Sequence, residues 1–341
     1  MVSRRLLVCL SLVVMLAGCS SSEKTISEKA TSEKAAPETA VPENVPSEKA
    51  SPEAASAVPA APQKHLFWKI SDSNSVVYLM GSVHFADESF YPLDTGIVNA
   101  FDRSGELAVE LDMTDTLVLK EIAVQTEKLG KLEAGRSLPQ ILPEDVMKSF
   151  DSLCVAWEFP VELLYGYKPW SAAMTLSSIA IMRLGFDPAL GIDFFFLNRA
   201  LEKQKKIISL EKVYDQVVVL AGVDVSDSLG RYYLKSTLRD IQLMDSSVVQ
   251  MMQAWKTGDT AQFRAAMYMG EETNTAEDSL MLAEIEDRMY IERNKKMAES
   301  IAAFLAQDRN VFIVVGAGHM LGKGDNVLKL MRDKGFTVEQ K

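Results

Sequence analysis

Two apolar runs lie near opposite ends of the region that can fold, and each stops at a glycine that leads into a histidine. Val76-Val77-Tyr78-Leu79-Met80 is followed by Gly81-Ser82-Val83-His84, and Val311-Phe312-Ile313-Val314-Val315 by Gly316-Ala317-Gly318-His319. Runs of this length and β-branched content read as buried strands. His84 and His319 are two of the three histidines in the chain, and they stand 235 residues apart. With 18 glycines in 341 residues, a double match of this frame is rare by chance. It points to two strand ends in one sheet, each with a glycine-permitted turn and an imidazole, the usual way an α/β fold presents reactive groups.

The first 65 residues cannot contribute to that sheet. Arg4 and Arg5 precede the apolar stretch Leu6 to Leu16, which is too short for a mature bilayer span, so residues 1–18 read as a signal peptide. Leu16-Ala17-Gly18-Cys19 resembles the lipobox of bacterial lipoproteins, in which cleavage leaves an acylated Cys19. Three acyl chains exceed what stable anchoring needs. Ser20 after the Cys, by the same resemblance, favours the outer membrane over the inner one. Residues 19–65 carry a five-residue repeat, from Ser22-Glu-Lys-Thr-Ile to Pro52-Glu-Ala-Ala-Ser, with no aromatic before Phe67. Such a tract cannot offset its ordering entropy and reads as a disordered tether with a reach of about 40 Å. The expected location is therefore the bacterial cell envelope, with membrane contact through Cys19.

Residues 66–341 are enough for one large domain. The net charge of -11, with no basic cluster in this part, argues against nucleic acid as a partner. Cys154 is alone in the domain and reads as a small buried hydrophobe. The opening reads as a strand pair, Leu66–Ile70 and Val76–Met80, turning at Asp72-Ser73-Asn74. A helix follows around Asp94 to Arg103, then a strand Leu107–Leu111. From Thr114 to about Asp240 the pattern is helical, broken by a strand at Lys206–Leu210. Ala172 to Leu184 carries Arg183 and reads as a core helix. Ser246 to Gln307 is helical and rich in Met, which is core filler. The end reads strand, turn, helix at Asp325 to Lys334, strand at Gly335–Val338. The expected class is α/β: a central mixed sheet built from both ends of the domain, with a large helical insertion.

Glu110 stands inside the apolar run Leu107-Ala108-Val109-Glu110-Leu111. Either alternation turns it to a solvated face, or it is functional, because a lone buried carboxylate is costly. Two imidazoles and a carboxylate with an open position for water form a common catalytic metal set. The same groups suit metal-free hydrolysis, with a histidine taking the proton of water. Weaker candidates are Asp193 in Gly191-Ile192-Asp193, placed to cap a helix, Glu211 at the end of a strand, and Arg293 in Arg293-Asn294. No nucleophile elbow, phosphate loop or dinucleotide fingerprint occurs; Leu321 stands where the last glycine of such a fingerprint would fall.

The two Gly-x-x-His motifs, Glu110, Lys168-Pro169-Trp170, Gly191-Ile192-Asp193, Leu210-Glu211 with Gln216, and Arg293-Asn294 together resemble the TraB/PrgY/GumN family. The resemblance runs from about Leu66 to Lys341, with Met320 where the family usually has Leu. That superfamily includes the Tiki metallopeptidases, and the chain also looks related to the erythromycin esterases and the haem-binding ChaN-like proteins. The resemblance implies a divalent first-row metal (Mn, Co or Zn) on His84, His319 and Glu110, with Asp193, Glu211 and Arg293 orienting the ligands. It implies a hydrolase acting on a peptide or protein. The other class of function is a non-catalytic protein that sequesters a peptide or haem. The substrate and the oligomeric state are not encoded in any local motif.

Overall fold

The computed structural model describes residues 64–221, 227–241, 244–269, 275–307 and 309–341. The signal peptide, Cys19 and all but the last residues of the tether lie outside the described residues. The His65 N–H donates to the Lys341 carbonyl at 2.7 Å, tying the two ends of the domain together.

Six strands form one mixed sheet: β1 (Phe67–Ser71), β2 (Val76–Ser82), β3 (Glu106–Val109), β4 (Lys206–Ser209), β5 (Val311–Gly316) and β6 (Thr337–Gln340). Their order across the sheet is β4-β3-β5-β2-β1-β6. The strands β2, β5, β3 and β4 run parallel to one another, with Gly81 opposite Val315 and Val109 opposite both Val314 and Ser209. β1 pairs antiparallel with β2 and with β6. The expected fold class holds: both ends of the chain build the sheet, and the long helical stretch between β3 and β5 gives back only the edge strand β4.

Parallel strands are stable when covered on both faces. All six residues of β5 are buried. On one face Phe312 meets Phe101 of the helix Thr95–Arg103 and Phe196 of the helix Ile192–Glu202, with ring centroids at 5.4 and 4.7 Å. The helix Glu292–Ala306 packs against β2. The stretch around Ala172 is the helix Pro169–Arg183, buried along most of its length, as expected of a core helix. Among the described residues no helix is long and apolar enough to cross a membrane. Met244, Met251, Met252, Met267, Met289 and Met297 are buried in the hydrophobic core, which fits their reading as filler. Cys154 is buried, and burial pushes its thiol up to about 11, so it stays an inert thiol.

Three boundaries differ from the sequence reading, each for a physical reason. The expected strand Leu107–Leu111 stops at Val109, so Glu110 is the first residue beyond the sheet rather than part of a strand interior. The expected helix after His319 starts at Val327, where Asn326 caps it by accepting from the Lys329 N–H. Its C-terminal Gly335 takes a positive φ of 88°, which delays β6 to Thr337. The methionine-rich stretch is helical, as expected, and divides into several helices. Gly258 (φ 69°) breaks it where the Lys64 carbonyl comes so close that an added Cβ would lie 1.9 Å from it. A single π-helical turn, Asp287–Ile291, then leads into Glu292–Ala306.

Candidate active site

The register puts the C-terminal ends of the four parallel strands on one edge of the sheet, and that edge is where open α/β sheets bind ligands. His84 follows the end of β2, His319 the end of β5, Glu110 the end of β3 and Glu211 the end of β4. The four residues come from four separate places in the sequence. His319 is 0 % exposed, Glu110 5 % and His84 7 %, the Glu211 side chain is 6 % exposed, and Arg293, which packs among them, is 4 % exposed.

Glu110 does not face solvent. Its Oε1 accepts from the Gly316 backbone N–H at 2.7 Å, and its Oε2 accepts from Arg293 Nη2 at 2.8 Å and Gln216 Nε2 at 3.1 Å. Arg293 is the hub. Its Nε and Nη2 donate to the two oxygens of Glu211 at 2.6 and 2.7 Å, and its Nη1 donates to the Met289 carbonyl at 3.1 Å. Gln216 closes the ring by also donating to Glu211 Oε2 at 2.7 Å. Burial alone would favour a neutral guanidine, but the two glutamates outweigh it and hold Arg293 charged, above its ordinary range. Arg293 is thus a buried bridge between two carboxylates, not a surface ion pair.

His84 is held by the helix Ile192–Glu202. The Ile192 N–H donates to the Val83 carbonyl at 3.1 Å, and Gly191 passes so close that an added Cβ would stand 2.5 Å from the His84 carbonyl oxygen. Asp193 Oδ2 lies 2.6 Å from His84 Nδ1 and also accepts from Ser82 Oγ. Asp193 is not the helix N-cap that its spacing suggested. Gly191 occupies that position, and Asp193 lies in the first turn, where the helix dipole favours a carboxylate. Burial pushes His84 down, but the Asp193 charge and hydrogen bond, with Glu110 behind them, leave it above its ordinary value. Burial likewise works against the Asp193 carboxylate, and the His84 contact holds it below the usual range.

His319 lies in the short helix Gly318–Leu321 directly after β5. Its Nδ1 is 2.6 Å from Asn294 Oδ1, and its Nε2 is 3.6 Å from Glu110 Oε1. Tyr290 meets the imidazole edge-on at 5.1 Å. Burial pushes His319 down to about 3, with the Arg293 charge helping, so the ring is neutral at physiological pH. The 3.6 Å approach to Glu110 is therefore not an ion pair.

The glycines of the two histidine motifs were expected to permit turns. No positive φ occurs in either motif. Two of them, Gly81 and Gly318, are crowded by tertiary packing instead. A Cβ on Gly81 would stand 2.9 Å from Met320 Cε, and one on Gly318 would stand 2.8 Å from the Tyr290 hydroxyl. Met320 thus packs directly on the other histidine motif.

One feature unites both histidines: their Nε2 atoms are buried and have no hydrogen-bond partner. Around them are three carboxylates, Glu110, Glu211 and Asp193, against one guanidinium. A bound cation would offset this excess of acidic groups. Two imidazoles whose Nδ1 atoms are engaged and whose Nε2 atoms are bare have the arrangement of metal-binding histidines with oriented rings. Glu110 Oε1 is the nearest further donor. Among the described residues no three His, Cys, Asp or Glu side chains are placed together so that they could hold a metal ion. The donor types, two imidazoles and a carboxylate, are ones that bind divalent ions, but Glu110 is tied to Arg293 and Gly316.

All six residues singled out in the sequence are found at this edge. Asn294, Ser82 and Gln216, which orient them, carried no role of their own in the sequence reading. Gln216 and Asn294 were legible only as neighbours of Glu211 and Arg293.

An α/β domain with paired histidines and a buried carboxylate–guanidinium cluster at the sheet's C-terminal edge is the class these observations define. The sequence model of the TraB/PrgY/gumN family matches residues 66–340, and the chain belongs to that family. It is 24% identical over 272 residues to the protein YbaP of Escherichia coli (strain K12), covering 79% of this chain and 94% of that one. A protein of Treponema pallidum (strain Nichols) is 20% identical over 289 residues, covering 80% of this chain and 81% of its own. No solved structure matches.

Proposed function

We propose that the domain is a metal-dependent hydrolase acting on peptides. His84, His319 and Glu110 would hold a divalent first-row ion (Mn, Co or Zn), and Asp193, Glu211 and Arg293 would fix their orientation and charge. The observation that carries the reading is the pair of buried Nε2 atoms without partners in a cluster with excess negative charge. A bound divalent ion supplies an activated water at neutral pH and polarises the scissile carbonyl.

The protein's own groups supply the rest. The contact between Asp193 and His84 Nδ1 orients the ring and would strengthen Nε2 as an electron-pair donor to the ion. Arg293, anchored on Glu211, holds Glu110 in place. Tyr290 and the burial of the cluster keep bulk water from the reacting atoms. A second reading, water activation without metal, is favoured by the same His84–Asp193 pair, which has the form of a general base and its orienting carboxylate.

Turnover of a quenched-fluorescence peptide library by the purified protein tests the proposal. Activity should fall by at least about 100-fold with a chelator, since a metal-bound water or a general base each contributes on that order. It should return on adding back Mn, Co or Zn. Full activity in chelator would leave the metal-free reading. No turnover, with a Soret band in the absorption spectrum, would favour haem sequestration.

A further inference from the structure

Asn294 is buried and sits on the helix Glu292–Ala306, one residue after the Arg293 hub. Its amide has two different ends, and its surroundings allow only one orientation. Nδ2 donates to the Asp325 backbone carbonyl at 2.9 Å. A carbonyl only accepts, so the NH2 end must face Asp325 and Oδ1 must face His319. Oδ1 lies 2.6 Å from His319 Nδ1 and has no proton to give. The proton in that contact must be on the imidazole.

We infer that Asn294 is a positioning residue that locks His319 in its Nδ1–H form and leaves Nε2 as a bare electron-pair donor directed at Glu110. His84 is held differently, by a carboxylate that also accepts from Ser82. The two histidines are thereby held unlike: His319 Nδ1 meets an amide oxygen, and His84 Nδ1 meets a carboxylate. The Nε2 lone pair of His319 faces Glu110 Oε1 at 3.6 Å, and Oε1 already accepts from Gly316 N–H. Two acceptors face each other in a buried site with no proton between them, an arrangement that an electrophile between or beside them relieves. In its metal-affinity arm the inference rests on the hydrolase proposal. The tautomer arm stands without it.

The test is long-range 1H–15N correlation NMR on the full chain in detergent, with 15N-labelled histidine and no added metal. The chain has three histidines, and His319→Gln assigns the relevant signals. The wild type should show His319 with a protonated Nδ1 and a bare Nε2. Asn294→Asp, which still accepts, should keep that pattern. Asn294→Leu should move proton density to Nε2 and weaken Zn2+ or Mn2+ binding by about 10–100-fold, the usual cost of losing a group that orients a ligand. A protonated Nε2 in the wild type overturns the inference, as does an Asn294→Leu protein with unchanged tautomer and affinity. If Asn294→Leu does not fold, the wild-type and Asn294→Asp spectra decide. A wild type with the stated tautomer that binds neither metal supports the tautomer lock and sinks the hydrolase proposal instead.

Discussion

Arg293→Met is expected to destabilise the domain by about 3–5 kcal/mol, the range for removing one partner of a buried ion pair. Four hydrogen bonds end on this guanidinium, three of them on Glu110 and Glu211. Methionine has a similar length but leaves two adjacent buried carboxylates without a counter-charge. Arg293→Lys should recover only part of the loss, since a single ammonium cannot fork between two carboxylates. Adding Glu211→Gln to Arg293→Met should return some stability by removing one of the stranded charges, a coupling that a double-mutant cycle isolates. Urea denaturation of the purified proteins reads all four. A loss under about 1 kcal/mol for Arg293→Met would mean that the cluster is solvated and not the buried hub described above.

Glu110→Gln should abolish activity, with a loss of at least about 100-fold, and should also cost the metal. Glutamine has nearly the shape of glutamate, but the site is built for two acceptor oxygens. Gly316 N–H donates to one of them, and Arg293 and Gln216 donate to the other. The amide NH2 must therefore face a donor on one side, which adds a stability cost of about 1–3 kcal/mol. The protein should still fold, so metal content and turnover can both be measured. Both oxygens are committed to fixed donors, which favours Glu110 as a charged ligand over a proton acceptor. Loss of activity with metal retained would make it the base. Full activity with full metal would remove it from the mechanism.

The sequence made the sheet legible because its strands are short apolar runs, and period and composition mark such runs directly. It also made the two histidines legible, since both follow a glycine at the end of such a run. Glu110 could be singled out but not placed. Its neighbours are apolar whether it faces solvent or the cluster, and only the end of β3 at Val109 and the approach of Gly316 separate the two cases. Asp193 was found for the wrong reason, because a residue's position in a helix cap depends on where the preceding chain docks, here on Val83 and His84. The motif glycines were likewise read as turn formers, whereas Gly81 and Gly318 take no positive φ and are packed closely by Met320 and Tyr290. Asn294 and Gln216 were visible only as neighbours of Arg293 and Glu211 in their motifs, because their contacts to His319 and Glu110 span 25 and 106 residues of chain.

The central claim is that His84 and His319 act together on one ion. It is tested most directly by metal content and titration calorimetry on the wild type and on His84→Ala/His319→Ala. The account expects one first-row divalent ion per wild-type chain and none on the double variant, which should remain folded because neither ring carries the Arg293 cluster. A wild type that takes up no such ion, or a folded double variant that binds it as tightly, would contradict the account.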